Sequence, residues 1–159
     1  MIRPTTPEDT AALIALANST GLFEPDQLKQ LGEMLTDYFS NRRGREHFWL
    51  TDDDQGPVGV AYGEPEPMTD RVWNLQLIAV RPDRQGQGRG TALLHHVEQT
   101  LIARDGRMLL IETSGLPDFE RTRMFYRQCG YEEEARIRDF YTTGDDKIVY
   151  RKILTAQGP

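Results

Sequence analysis

Apolar residues recur at helical intervals along the first forty positions. Leu13, Ile14, Leu16 and Ala17 follow Pro7-Glu8-Asp9, a proline-led acidic first turn with Thr6 available as N-cap, and Gly21 ends the pattern. Leu28, Leu31, Met34, Leu35, Tyr38 and Phe39 lie three and four apart, which describes one buried face of a second helix. Arg42-Arg43-Gly44-Arg45 then breaks the order. From there the period shortens to that of strands. Residues 47–51 and 57–63 read as a hairpin around the turn-forming run Asp52-Asp53-Asp54-Gln55-Gly56. Residues 72–80 are rich in β-formers, and the strand stops before Pro82, which has no N–H to give a ladder.

After the polar, glycine-rich residues 83–90, a helical face reappears at Leu93, Leu94, Val97, Leu101 and Ile102, closed by Arg104-Asp105-Gly106. A short apolar strand at 108–111 and a helix at 119–129 backed by Gly130 follow. The last third reads as a hairpin of 134–141 and 147–153 around Thr143-Gly144-Asp145-Asp146, whose two acids are expected to be solvated. The pattern predicts an α/β chain: a mixed sheet of six to seven strands with about four helices. One domain spans residues 1–155, and 156–159 form a frayed tail.

Composition narrows the partners. The net charge of −6 repels phosphate backbones, so no nucleic-acid partner is expected, and it would attract a cation such as an amine. The same charge also serves simply to keep a small domain soluble. Cys129 is the only cysteine, which rules out an intrachain disulfide and fits a reducing compartment. With no apolar signal core at Met1-Ile2-Arg3-Pro4-Thr5 and no long apolar run, the expectation is a soluble, cytoplasmic chain without a membrane partner. His47, His95 and His96 have no metal-ligand spacing, so no metal is expected.

The sharpest chemical signal is Arg84-Gln85-Gly86-Gln87-Gly88-Arg89-Gly90-Thr91, between a strand and a helix. Glycines at alternate positions remove Cβ atoms and let backbone N–H groups converge, and the following helix points its positive end at the same place. A diphosphate fits there. A Walker loop would need a lysine that this turn lacks, and a dinucleotide fingerprint would need different glycine spacing.

Gln85-Gly86-Gln87-Gly88-Arg89-Gly90 resembles the Q/R-x-x-G-x-G/A signature of the GNAT superfamily of acyl-CoA-dependent N-acetyltransferases. Leu77-Ile78-Ala79-Val80-Arg81-Pro82 before it and Thr91-Ala92-Leu93-Leu94 after it are similar to that family's surroundings. Met124-Phe125-Tyr126-Arg127-Gln128-Cys129-Gly130-Tyr131 resembles its second hallmark, an aromatic-Tyr pair followed by Gly and an aromatic.

The resemblance implies the acyl-CoA N-acyltransferase fold and direct transfer of an acetyl group from acetyl-CoA to a small-molecule or peptide amine, without an acyl-enzyme; it also admits a homodimer. It implies that backbone N–H groups of Gln85, Gly86, Gln87, Gly88, Arg89 and Gly90, with Thr91 Oγ, hold the pyrophosphate. Ile78 and Val80 would pair with the pantetheine arm, and Tyr126 would protonate the departing thiolate. Glu112, after the apolar strand, is the first choice of base, with Glu64 and Glu66 next. Many relatives carry an asparagine where this chain has Phe119, and the contact it makes to the coenzyme is either absent here or supplied by Ser114. Asp139 and Tyr141 could line an amine pocket. A domain that binds acetyl-CoA without turnover is the alternative; the glycine turn serves either reading, whereas Tyr126 and Glu112 are wanted only by the catalyst.

Overall fold

The computed structural model describes residues 1–40 and 46–155, so the expected break at Arg42-Arg43-Gly44-Arg45 and the tail at 156–159 lie outside the described residues. Among the described residues there are seven strands and four α-helices: β1 (Ile2–Pro4), α1 (Thr10–Ser19), α2 (Pro25–Phe39), β2 (Phe48–Asp53), β3 (Pro57–Pro65), β4 (Val72–Val80), α3 (Arg89–Ala103), β5 (Met108–Ser114), α4 (Glu120–Gln128), β6 (Glu132–Thr142) and β7 (Asp145–Ile153). The strands form a mixed sheet in the order β1-β2-β3-β4-β5-β7-β6. β4 and β5 run parallel, as a strand-helix-strand crossover requires, while β5, β7 and β6 are antiparallel neighbours. The expected mixed sheet and helix number are those observed.

Two compact units can be distinguished: Met1–Glu64 with Leu77–Val97, and Pro65–Gln76 with Glu98–Pro159. In the first, Leu13, Leu16 and Ala17 of α1 and Leu31 and Leu35 of α2 are buried with Trp49, Val60, Tyr62, Leu77 and Ala79 of the strands. Trp49 and Tyr62 are cross-strand partners whose rings stack at 4.3 Å, the kind of pair that fixes a register. β1 was not foreseen. Three residues show no alternation to read, yet they pair with Asp52, Thr51 and Leu50 of β2.

Thr6 is the N-cap, as expected, of a short 3-10 turn, Pro7–Asp9, that leads into α1, and the buried Asp9 closes its capping box. Arg3 grips its carboxylate at 2.8 and 3.0 Å, and the Thr6 N–H donates to it at 2.8 Å. The Arg3 guanidinium, and after it the Thr6 backbone, hold the Asp9 carboxyl below the usual carboxylate range. A lowered folded-state value stabilises the fold above the unfolded carboxylate's range and loses that contribution as pH falls through the folded one. Asp9→Asn should therefore cost about 1–3 kcal/mol in urea unfolding at pH 7. The gap to wild type should close in acid, and a gap that persisted there would mean that the ion pair is not its source.

In the second unit, Leu75, Leu101, Leu109, Ile111, Ile148 and Tyr150 are buried. β5 runs three residues beyond the expected 108–111, because Glu112, Thr113 and Ser114 pair with Val149, Ile148 and Lys147 of β7. Glu112 is therefore an interior strand residue. Asp145 and Asp146 are not solvated turn acids; they open β7, half-buried, where Asp145 accepts from Ser114 Oγ and Asp146 from Arg136 and the Asp139 N–H.

Candidate active site

In the first unit, β4 delivers the chain into the glycine turn, and α3 leaves it at Arg89, held by the buried Leu93, Leu94 and Val97. Gly86 and Gly88 have φ of +74° and +80°, a region that other residues rarely adopt, while a Cβ added at either would meet no atom within 4 Å. Conformation, not crowding, demands glycine, and the space beside the turn is open. Among the described residues, the backbone N–H groups of Gly86, Gln87, Gly88, Arg89, Gly90 and Thr91 donate to no carbonyl. Six unpaired donors at the start of a fifteen-residue helix make an anion cradle, and the diphosphate of a coenzyme fits its chemistry.

The arginines around the turn are spent on carboxylates. Arg84 binds Asp54 at 2.7 Å, Arg81 binds Asp83 at 2.6 Å, and Arg89 reaches Asp52 at 3.0 Å and Asp54 at 2.9 Å. The Arg89 side chain thus braces the turn, and only its N–H is left for an anion. The Gln85 N–H, expected in the cradle, is instead taken by the Pro82 carbonyl at 3.3 Å, and Gln85 Nε2 donates to the Val80 carbonyl at 2.9 Å, which ties the turn to the end of β4. Ile78 and Val80 are half-buried and Thr91 is exposed in the first turn of α3. Glu64, another candidate base, belongs to a different group: Tyr62 donates its hydroxyl to Glu64 at 3.1 Å and lies 2.6 Å from His47 Nδ1.

The second unit holds the expected acid, Tyr126, and two of the candidate bases, Glu112 and Glu66. On β5 the residues Leu109, Ile111 and Thr113 are buried, while Leu110 and Glu112 lie on the more open face. Asn74 of β4 opposes Leu110 and so shares that face. Its Nδ2 donates to Glu112 Oε1 at 3.2 Å and to Glu66 Oε1 at 2.8 Å. Two of the three candidate bases therefore meet on one amide. Lys147 of β7 places its ammonium 3.0 Å from the same Glu112 Oε1 and 4.2 Å from the centre of the Phe140 ring. Glu112 sits against an ammonium and an amide, not against the apolar strand end that the sequence suggested.

Tyr126, in α4, is 4% exposed and packs against Tyr131 and Tyr150 with ring centres 6.3 and 5.8 Å away. Its hydroxyl has no hydrogen-bond partner among the described residues. Burial first, and then the neighbouring Cys129, Tyr141 and Tyr150, push its phenol well above the ordinary range, so it keeps its proton at any working pH. Partial burial and the charges of Glu112 and Asp145 push Tyr141 up to about 12. Asp139, at φ +56°, closes the hairpin by accepting from the Gly144 N–H. Ser114 Oγ accepts from the Leu116 N–H and donates to Asp145, so it is engaged on both sides.

Sequence reasoning did not single out Asn74 or Lys147. The signal for Asn74 was present: one amide inside the run Val-Trp-Asn-Leu, where a β-former is expected. Among the described residues, no group of His, Cys, Asp and Glu could hold a metal ion, and no helix is long and apolar enough to cross a membrane.

A family model described as an acetyltransferase (GNAT) domain matches residues 44–133. A crystal structure from Desulfovibrio desulfuricans, assigned to the GNAT family of acetyltransferases, is 32% identical, with a TM-score of 0.92 over 98% of this chain and 99% of that one. The ribosomal-protein-S18-alanine N-acetyltransferase of Escherichia coli shares 21% identity at a TM-score of 0.76, over 99% of this chain and 96% of that one. An aminoglycoside 6'-N-acetyltransferase complexed with coenzyme A shares 16% at 0.76, over 100% and 99%. No curated protein matches the sequence.

Proposed function

Because this chain belongs to the GNAT family of acetyltransferases, we propose that it transfers an acetyl group from acetyl-CoA to a primary amine by direct attack, with Glu112 as base and Tyr126 as acid. The observation that carries the reading is the run of six unpaired N–H groups from Gly86 to Thr91. Acetyl-CoA supplies the acetyl group already activated as a thioester. The turn's role is to hold the diphosphate through Gly86, Gln87, Gly88, Arg89, Gly90 and Thr91, with Gln85 fixing the turn to Val80. Backbone groups of Ile78 and Val80 are the proposed contacts to the pantetheine arm. Ser114 ranks behind the turn as a coenzyme contact, since its hydroxyl is already shared by Leu116 and Asp145.

The acid and base roles follow from local chemistry. Tyr126 holds its proton and offers a free hydroxyl, which suits a donor to a departing thiolate. The Glu112 carboxylate has Oε1 taken by Asn74 and Lys147, while Oε2 accepts no hydrogen bond among the described residues and can accept the amine's proton. Glu66 is the second candidate on the same amide and Glu64 the third. The acceptor we propose is a cationic amine, drawn by the acidic balance of the chain. The names of the solved neighbours point to the same chemistry, one an aminoglycoside and one an alanine of a ribosomal protein.

A pH–rate profile tests the base. With wild type the rate should rise with pH until the carboxylate and the ammonium are both deprotonated, and Glu112→Gln should lose the limb belonging to the carboxylate. An amine already neutral at the working pH should partly rescue the variant. Superimposable profiles would transfer the role to Glu66 or Glu64.

A further inference from the structure

Asn74 is 2% exposed, a buried amide in a strand where a leucine would fill the same space without needing partners. Both hydrogens of its Nδ2 are used, one on Glu66 at 2.8 Å and one on Glu112 at 3.2 Å. The opposite orientation of the amide would aim Oδ1 at two carboxylates, so the donor assignment follows from the partners themselves. A free carboxyl turns easily about its last torsion, which is broad. Here the amide and the Lys147 ammonium both hold Oε1 of Glu112, and that torsion is fixed. Oε2 of Glu112 and Oε2 of Glu66 accept no hydrogen bond among the described residues.

We propose that Asn74 is a positioning residue: it sets Glu112 so that the free Oε2 receives the amine's proton, and it brings Glu66 to the same site as a second negative charge for the incoming ammonium. Resting on the proposed role of Glu112 as base, this inference adds two residues to it with separate duties. Asn74 acts through Glu112 and is felt in kcat, while Glu66 acts on the ammonium and is felt in the acceptor's KM. Lys147 offsets one of the two carboxylates, so a net negative charge remains for the acceptor.

A double-mutant cycle separates positioning from structure. The acceptor probes are spermidine, a peptide with an N-terminal alanine, and kanamycin, and the fastest of them is carried through. Asn74→Leu should lower kcat by up to about 10²-fold, the scale of a misplaced catalytic group, and leave the acetyl-CoA KM unchanged. In a Glu112→Gln background, Asn74→Leu should cause little further loss. Asn74→Ala is run in parallel, and whichever variant keeps the wild-type melting curve carries the cycle. A full, additive loss in the Glu112→Gln background would overturn positioning while leaving the base in place. Glu112→Gln at the wild-type rate, or no turnover with all three probes, would instead remove the base and the inference with it. Glu66→Gln should raise the acceptor KM with kcat little changed; an unchanged KM would remove Glu66 from the site.

Discussion

In Gly88→Glu, acetyl-CoA should no longer raise the melting temperature. For the wild type, a ligand at a hundredfold excess over its Kd stabilises the native state by about 2.7 kcal/mol, roughly 5–10 °C for a chain of this size. ATP and NAD should give no such shift, because the turn lacks the lysine and the glycine spacing that their sites use. At Gly88 the backbone φ is +80°, and the space where a side chain would project is empty of protein atoms. A glutamate there would put bulk and negative charge beside the six N–H groups proposed to hold the diphosphate, which donate to no carbonyl among the described residues. It would also strain the backbone by about 1–2 kcal/mol, which lowers the melting temperature with or without ligand. Gly88→Ala carries the same strain without the charge. The coenzyme-induced shift should therefore fall from wild type to alanine and vanish with glutamate. An undiminished shift in Gly88→Glu would place the coenzyme elsewhere.

Tyr126→Phe should slow acetyl transfer by roughly 10²–10⁴-fold, the range usual for a general acid, and keep coenzyme binding. The substitution removes one oxygen from a ring that stays packed against Tyr131 and Tyr150. Since that hydroxyl bonds to no described residue, the fold should lose little with it. Burial keeps the phenol protonated above the ordinary tyrosine range, so no alkaline limb from Tyr126 should appear below about pH 10 in the wild-type profile. Equal turnover in the variant, measured as thiol release, would take the acid role away from Tyr126.

The candidate residues that were legible in the sequence are those whose requirement is local. Gly86 and Gly88 announce positive φ where they stand, and Leu93, Leu94 and Val97 announce the helix behind them. Tyr126 was legible through its motif alone, since spacing would equally make it a core aromatic. The surroundings of Glu112 were not legible. Asn74 lies 38 positions away and Lys147 on the last strand, and only the registers Leu75↔Ile111 and Ser114↔Lys147 bring them together. The same cause hid the end of β5. Glu112, Thr113 and Ser114 carry no apolar pattern, and β7 alone keeps them in the sheet. Asp145 and Asp146 read as turn acids because their partners Ser114 and Arg136 come from neighbouring strands.

Acetyl transfer to an amine is tested by product analysis. Purified chain is incubated with acetyl-CoA and each amine probe, and free coenzyme A thiol and acetylated amine are quantified together. Equal amounts of the two products are expected with at least one primary amine, abolished in Gly88→Glu and strongly slowed in Tyr126→Phe. Tight binding of acetyl-CoA with neither product formed from any amine would contradict acetyl transfer, and would make the chain a sensor of the coenzyme.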